Sequence, residues 1–455
     1  MNLRHLLAAS AVVLTLCVLV DASTENMINR SFTFLLWHCH QAEAMVEGWR
    51  AGGGLSLTGE GNFFPLWGAP LLLALTDLGL LENTSFYVFR GAIIALLTLA
   101  GLVSAQTLWL RYGRAGWWAG WLVSLNPVSL QLIGGVYDAM LSSAWFALAG
   151  AVLIDAEVRP GRPWRGYVAA GLLLGVGFNI RSDMLYPVLG ALAVVALWSR
   201  QREHVARLAA VVALIALCLA PWTLAQHERW GVWSPSSANT GHVAFISLGQ
   251  IEDGPWGIEH EDGFLAEEVL AEIAPEWGDR LPERDVAKVY SPPASAAYFR
   301  RFREAVSAHP GAYALGVLKR GATILTEKKE GMLTPERCLQ PNPRKLLKRV
   351  EVCSDAVVPR PLLTAYLNLG VVLLLALGVR ALVRGPQRAP LTGWAGLMGS
   401  ALFVLLCCFQ YLERHLYSVS GLIALAWIVA GLELARWLYP ERDIAAPPSP
   451  DSDVR

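Results

Sequence analysis

The sequence predicts an all-α polytopic membrane protein, with about ten transmembrane helices, one re-entrant or juxtamembrane segment and a small soluble domain on the outer face. Three observations carry that expectation. Hydrophobic residues make up 54% of the 455-residue chain and charged residues 16%, with a mean hydropathy of +0.41, a balance rare in a soluble protein. Apolar stretches long enough to cross a bilayer recur along the chain. The Arg-rich loops between them nearly all fall on one side, and positive residues are retained on the cytoplasmic side.

Taken in order, spans are expected at 3–20, 86–110, 115–134, 138–155, 166–181, 184–199, 205–223, 361–379, 389–408 and 417–436. The inner loops then carry Arg111 and Arg114; Arg159, Arg162 and Arg165; Arg200, Arg202 and Arg207; and Arg380, Arg384 and Arg388. On this assignment both termini are cytoplasmic and the chain lies in the plasma membrane. The run 63–76 must not span, or every later loop would change sides. It is short and contains Pro65 and Pro70, which suits a re-entrant or juxtamembrane helix. Arg4 and His5 ahead of an apolar stretch ending Val20-Asp21-Ala22 also fit a cleaved signal peptide, which would leave an odd number of spans. Many of the 18 tryptophans sit near span ends, including Trp117, Trp118, Trp121, Trp198, Trp222 and Trp437, where an amphipathic ring favours the interface.

The organisation that follows is a transmembrane core over 1–225, including a first outer loop at 21–85, then an outer-face domain over 226–360. C-terminal transmembrane helices occupy 361–438, and a disordered cytoplasmic tail occupies 439–455, rich in Pro and Ala. The outer domain is rich in Asp, Glu, Pro and Gly. It contains an amphipathic helix at 296–308, with Tyr298, Phe302 and Val306 at helical spacing against Arg300, Arg301, Arg303 and Glu304. Zero net charge and the lack of a long basic run argue against a nucleic-acid partner; the lipid bilayer is the expected one.

Several apparent motifs carry no chemistry. Asp451-Ser452-Asp453 imitates an acid-x-acid metal site but lies in the tail, and Glu259-His260-Glu261-Asp262 reads as an acidic surface loop. Gly52-Gly53-Gly54 with Gly59 and Gly61 lacks the Lys-Ser/Thr ending of a phosphate loop. His38 and His40 diverge by about 200° if the segment is helical. That segment fits an interfacial helix, with Leu35, His38, Ala42, Met45, Val46 and Trp49 on one face and His40, Glu43, Glu47 and Arg50 on the other.

The informative polar residues sit where the spans meet the outer face. Asn126-Pro127 leads toward Asp138; Arg181-Ser182-Asp183 follows the fifth span; Pro221-Trp222 precedes Gly231 and Asn239-Thr240-Gly241; and Glu413-Arg414-His415-Leu416-Tyr417 precedes the last span. Each also reads as an ordinary span-end anchor, with Arg181 paired to Asp183 and Arg414 to Glu413. Together with the first-loop segments Ala44-Met45-Val46-Glu47-Gly48 and Phe64-Pro65-Leu66-Trp67, their order and sidedness resemble the C-type membrane glycosyltransferases that use polyprenyl-phosphate sugars. That superfamily includes protein O-mannosyltransferases and lipid A aminoarabinose transferases. The resemblance runs from residue 1 to about 436.

The resemblance implies inverting transfer of a sugar from a polyprenyl-phosphate donor to a glycan, lipid or protein hydroxyl at the outer face. A carboxylate would take the acceptor proton, and cations would hold the departing phosphate. The catalytic carboxylates are then Asp138 with Glu25 or Glu43, and the phosphate ligands Arg181, Arg414 and His415. Asp183, Asn239 and Trp222 would line the cavity. No metal ligand set is identified; a divalent ion is compatible with the chemistry and not required by the sequence. The chain departs from the family where a first-loop acid usually precedes the position of Met45: here the stretch reads Phe34-Leu35-Leu36-Trp37. Two other readings stay open, a catalytically inactive scaffold of the same fold and a polytopic transporter, although the charges gather at one rim rather than at the midplane.

Two measurements test this layout. A single cysteine placed within 226–357 should react with a membrane-impermeant maleimide in intact spheroplasts; reaction only after lysis would overturn the sidedness. Cys338 and Cys353 are the two cysteines of the large outer loop, in a compartment where disulfides persist, and either pair or remain free thiols. A bridge closing that loop would stabilise it by about 3 kcal/mol in the chain-entropy model. Mass spectrometry should find the two resistant to alkylation until reduced.

Overall fold

The apolar stretches fold as helices, and the chain reverses where the sequence places its arginines. The computed structural model describes residue 46 and residues 82–132, 138–159, 163–199, 201–236, 239–251, 253–261, 264–281, 288–329, 358–386, 390–409 and 413–438. Among these there is no strand, and six helices are long and apolar enough to cross a membrane. The all-α, polytopic class expected from composition is the one observed. The first span, the run 63–76, the first-loop helix and the C-terminal tail lie outside the described residues, apart from Val46, which is buried.

The first described helix, α1 (Glu82–Gly120), is two arms reversing at Gly113, whose φ of 56° and ψ of −138° are open to glycine and strained for other residues. The second arm folds back on the first, and the Ser124 hydroxyl donates to the Leu97 carbonyl at 2.6 Å. Burial of Trp117 and Trp121 follows, with their rings edge to face at 5.9 Å. They are packing residues of this hairpin, whereas Trp118, Trp198 and Trp437 are exposed as interface anchors would be.

The span expected at 115–134 is not continuous. Asn126 accepts from the Ser129 amide at 3.1 Å while its own amide group donates to the Val123 carbonyl at 2.9 Å. With Pro127 in the first helical position this is a helix restart, and α2 (Pro127–Leu132) begins there. After it come α3 (Asp138–Val158), α4 (Pro163–Ile180), a short 3-10 turn (Ser182–Met184), α5 (Leu185–Trp198) and α6 (Arg202–Trp230). The last continues past the expected end at 223, with Pro221 inside it.

The next elements are α7 (Thr240–Ile246), α8 (Ala266–Trp277), α9 (Pro292–Ala308) and α10 (Pro310–Thr326). They are followed by α11 (Arg360–Arg384), α12 (Pro390–Cys408), α13 (Glu413–Tyr417) and α14 (Ser420–Leu438). Helix α12 is the hub of the bundle, packed against α3, α5, α10, α11 and α14. Its first half is buried from Leu391 to Gly399 and rich in glycine and alanine, which lets neighbouring backbones come close. Around the hub the bundle surface is apolar, with Leu172, Val212, Leu217, Leu369 and Val404 exposed, as lipid-facing positions require.

The arginine-bearing connections meet at one end of the bundle, here called the Gly113 end. Arg111 and the Tyr112 hydroxyl both bind Glu433, at 2.8 and 2.6 Å. Asp155 accepts from Thr107 and Arg159 at 2.7 and 2.9 Å, and His204 meets Glu157 at 3.0 Å. Gly385 abuts the Trp198 ring, which brings the connection after α11 to the same end.

The opposite end carries a second apolar core, built by Phe245, Ile246, Leu248, Val269, Tyr298 and Phe302 of α7, α8, α9 and the turn after α7. Helix α9 begins at Pro292, earlier than the expected 296, because Ser291 caps it by accepting from the Ala294 amide. Its apolar face carries Tyr298 and Phe302 as expected, and Arg300 and Arg301 reach Glu272 of α8. The Arg300 hydrogen bond, with that of Arg301, holds the Glu272 carboxyl below the usual carboxylate range.

Arg320, on α10, joins this core to the bundle. It is buried, and its guanidinium donates to the carbonyls of Ser247 at 2.9 Å, Cys407 at 2.7 Å and Phe409. Tyr313, two turns earlier, donates to the Cys408 carbonyl. Replacing Arg320 with Met should cost about 3 kcal/mol or more, since hydrogen bonds to charged groups contribute ~1.5–3 kcal/mol each and the buried carbonyls would lose theirs. Hydrogen exchange in detergent should accelerate across 240–326 more than in α1. Unchanged exchange there would remove the assigned role, and Arg320→Lys, reaching fewer carbonyls, should fall between.

Candidate functional site

The candidate site is the end of the bundle that Arg320 occupies, where α4, α6, α12 and α13 terminate or begin. Helix α4 closes with Asn179, buried and donating to the Gly175 carbonyl at 2.9 Å and across to the Cys218 carbonyl of α6 at 3.1 Å. That second bond fixes the end of α4 one turn below Trp222. Arg181 follows in extended backbone, φ −148° and ψ 129°, half-buried, with its amide donating to the Gly177 carbonyl at 3.0 Å. Asp183 lies within the 3-10 turn that comes next, and this turn packs against α12.

Asp138 is the first residue of α3, and Arg414 and His415 lie on α13. Helix α13 packs directly against α3, so the element carrying the expected carboxylate and the element carrying the expected phosphate ligands are neighbours. His415 is half-buried. Beside them runs a polar seam, in which the Ser143 and Ser420 hydroxyls meet at 2.8 Å and the Tyr366 hydroxyl donates to the Ser420 carbonyl at 2.6 Å.

Trp222 and Asn239 act in the connection between α6 and α7. Trp222 is fully buried, and its ring N–H donates to the Ser236 carbonyl at 3.1 Å, pinning that connection to α6. Asn239 is buried at the start of α7, its carbonyl accepting from the Val243 amide at 3.0 Å. Gly241 lies so close to α9 that its amide donates to the Ser295 hydroxyl at 2.8 Å and a Cβ there would fall on the Ser295 carbonyl oxygen. These residues hold the second core in place beside the bundle end.

The structure therefore packs α13, which carries Arg414 and His415, against α3, which begins at Asp138, and packs the Ser182–Met184 turn after Arg181 against α12. Glu25, Glu43, Cys338 and Cys353 lie outside the described residues. Among the described residues no three His, Cys, Asp or Glu side chains are grouped to hold a metal ion.

Sequence reasoning overlooked Arg320 and Lys329. Burial pulls Arg320 below the usual arginine range, and its donors go to backbone carbonyls at the negative end of α12. Lys329 is buried as well, its ammonium donating to the Ile324 carbonyl at 3.0 Å. A signal for Arg320 was present: Tyr313, Gly316, Val317, Arg320 and Ile324 recur at helical spacing, so the cation interrupts an apolar stripe.

No protein-family model matches the chain, and no curated protein matches it. Among solved structures it is similar to the crystal structure of the Archaeoglobus fulgidus oligosaccharyltransferase tethered with an acceptor peptide containing the NVT sequon via a disulfide bond. The identity is 15% and the TM-score 0.43, over 98% of this chain and 52% of that one. The chain spans about half the length of that enzyme.

Proposed function

We propose that this chain is a membrane glycosyltransferase moving a sugar from a polyprenyl-phosphate donor to a hydroxyl of a glycan, lipid or protein at the outer face of the membrane. The observation that carries the reading is the packing of α13, bearing Arg414 and His415, against α3, which opens with Asp138. Arg181, ahead of a turn packed against the hub helix α12, adds a further cation, and the order of these segments along the chain resembles the C-type transferases.

In the reaction the acceptor oxygen attacks the anomeric carbon from the face opposite the phosphate, so the new bond forms with inversion. The bond from that carbon to the donor phosphate oxygen breaks, and the electron pair leaves with polyprenyl phosphate. A carboxylate, Asp138 together with Glu25 or Glu43, receives the acceptor proton. Arg181, Arg414 and His415 offset the charge on the departing phosphate, Arg through two parallel hydrogen bonds. Trp222 and Asn239 shape the approach by fixing the connection above α6.

A second reading is supported by one observation. The stretch 34–37 carries no acid where the related enzymes usually have theirs, which suits a scaffold that keeps the fold and binds the lipid without turning it over.

The test uses the full chain in nanodiscs with a panel of polyprenyl-phosphate sugars, measuring release of the lipid phosphate. Turnover supports the enzyme; binding without release supports the scaffold. Among Asp138→Asn, Glu25→Gln and Glu43→Gln, the variant that removes the base should lower turnover by roughly 10²–10⁴-fold with folding intact. Arg414→Lys should also be damaging, because a point charge cannot reproduce a bidentate phosphate contact. Wild-type turnover in all three carboxylate variants would sink the assigned chemistry.

A further inference from the structure

At the Gly113 end, remote from the candidate site, α11 and α12 enclose a cavity of about 320 Å³. Its lining includes Arg380 and Arg384, one helical turn apart, with Gly385 and Pro386 beyond them and Thr392 and Gly393 from the first turn of α12. Neither arginine has an ion pair among the described residues, whereas Arg111, Arg159 and Arg207 at the same end each bind a carboxylate. No Asp or Glu lines the cavity among the described residues. The positive end of the α12 dipole abuts the same space.

The wall leading away from the cavity is apolar. Leu369, Val372, Val379 and Val383 of α11 are exposed along one side of the helix adjoining Arg380, on a helix long and apolar enough to span a membrane. Two unneutralised guanidiniums facing one concavity select a phosphate, and an exposed apolar strip running from it selects acyl chains. We propose that this cavity is a binding site for the phosphate headgroup of an anionic phospholipid, with the lipid tails lying along the exposed face of α11. Basic pockets between transmembrane helices recognise lipid phosphates in this way. The site is independent of the proposed transfer reaction, and loss of either leaves the other standing.

Native mass spectrometry of the full-length protein, stripped of lipid in detergent and offered phosphatidylglycerol or phosphatidylcholine, tests the assignment. The wild type should retain phosphatidylglycerol selectively, and R380Q/R384Q should lose about tenfold or more of that retention. Arg165→Gln removes an exposed charge from the same end away from the cavity and should leave retention unchanged. Equal retention by R380Q/R384Q, or an equal loss in Arg165→Gln, would overturn the site in favour of diffuse surface attraction. A third arm offers inorganic phosphate to the stripped wild type. Phosphate binding that needs Arg380 and Arg384, without selective retention of phosphatidylglycerol, would assign the cavity to a soluble anion and overturn the lipid reading. Thermal unfolding of R380Q/R384Q, expected to match the wild type, separates lost binding from lost folding.

Discussion

A buried guanidinium, bound to no carboxylate among the described residues, joins the second core of this protein to its helical bundle. Arg320 reaches the turn after α7 and the carbonyls at the end of α12, two segments far apart in the chain. Desolvating a cation is costly, and hydrogen bonds to oriented carbonyls offset that cost only when the geometry is fixed. The negative end of a helix supplies such a geometry. The second core is thus registered against the helix on which the bundle is centred, and the Arg181 turn packs on that same helix.

The division of labour between the two ends follows from the same physics. At the Gly113 end, partly exposed charges pair with carboxylates, between helices as with Arg111 and Glu433 or within one helical turn as with Arg159 and Asp155. Such pairs contribute little singly. At the other end the polar groups are buried and bonded to backbone, as with Asn179, Trp222 and Arg320. Buried bonds of that kind define one arrangement, which a site using several chain segments requires.

Much of the fold was legible because bilayer thickness and the retention of arginine leave marks on composition. Span positions from 138 onward agree with the helices to within a few residues at most ends, and the arginine-bearing loops do meet at one end. What escaped depends on contacts distant in sequence. The Asn126 restart interrupts a stretch that hydropathy alone leaves continuous, and Trp117 and Trp121 became interior only because the chain doubles back at Gly113. The site was legible as an order of polar segments. The adjacency of α3 and α13 could not be read, since it depends on how nonconsecutive helices pack, and the roles of Trp222 and Arg320 rest on carbonyl partners that sequence does not reveal.

Helix α6 has a consequence for where this protein works. Its 29 residues make a rod of ~43 Å, against a hydrocarbon layer of ~30 Å. The excess makes a rigid post of α6, and the segment pinned by Trp222 and Ser236 is held at a set height along it. One residue added to or removed from that post would turn everything it carries by ~100° and shift it by ~1.5 Å. Arg320 would then face the wrong carbonyls. The length of α6 is in this sense a gauge: it sets the height of the Trp222–Ser236 connection, and of what that connection carries, relative to the rest of the bundle.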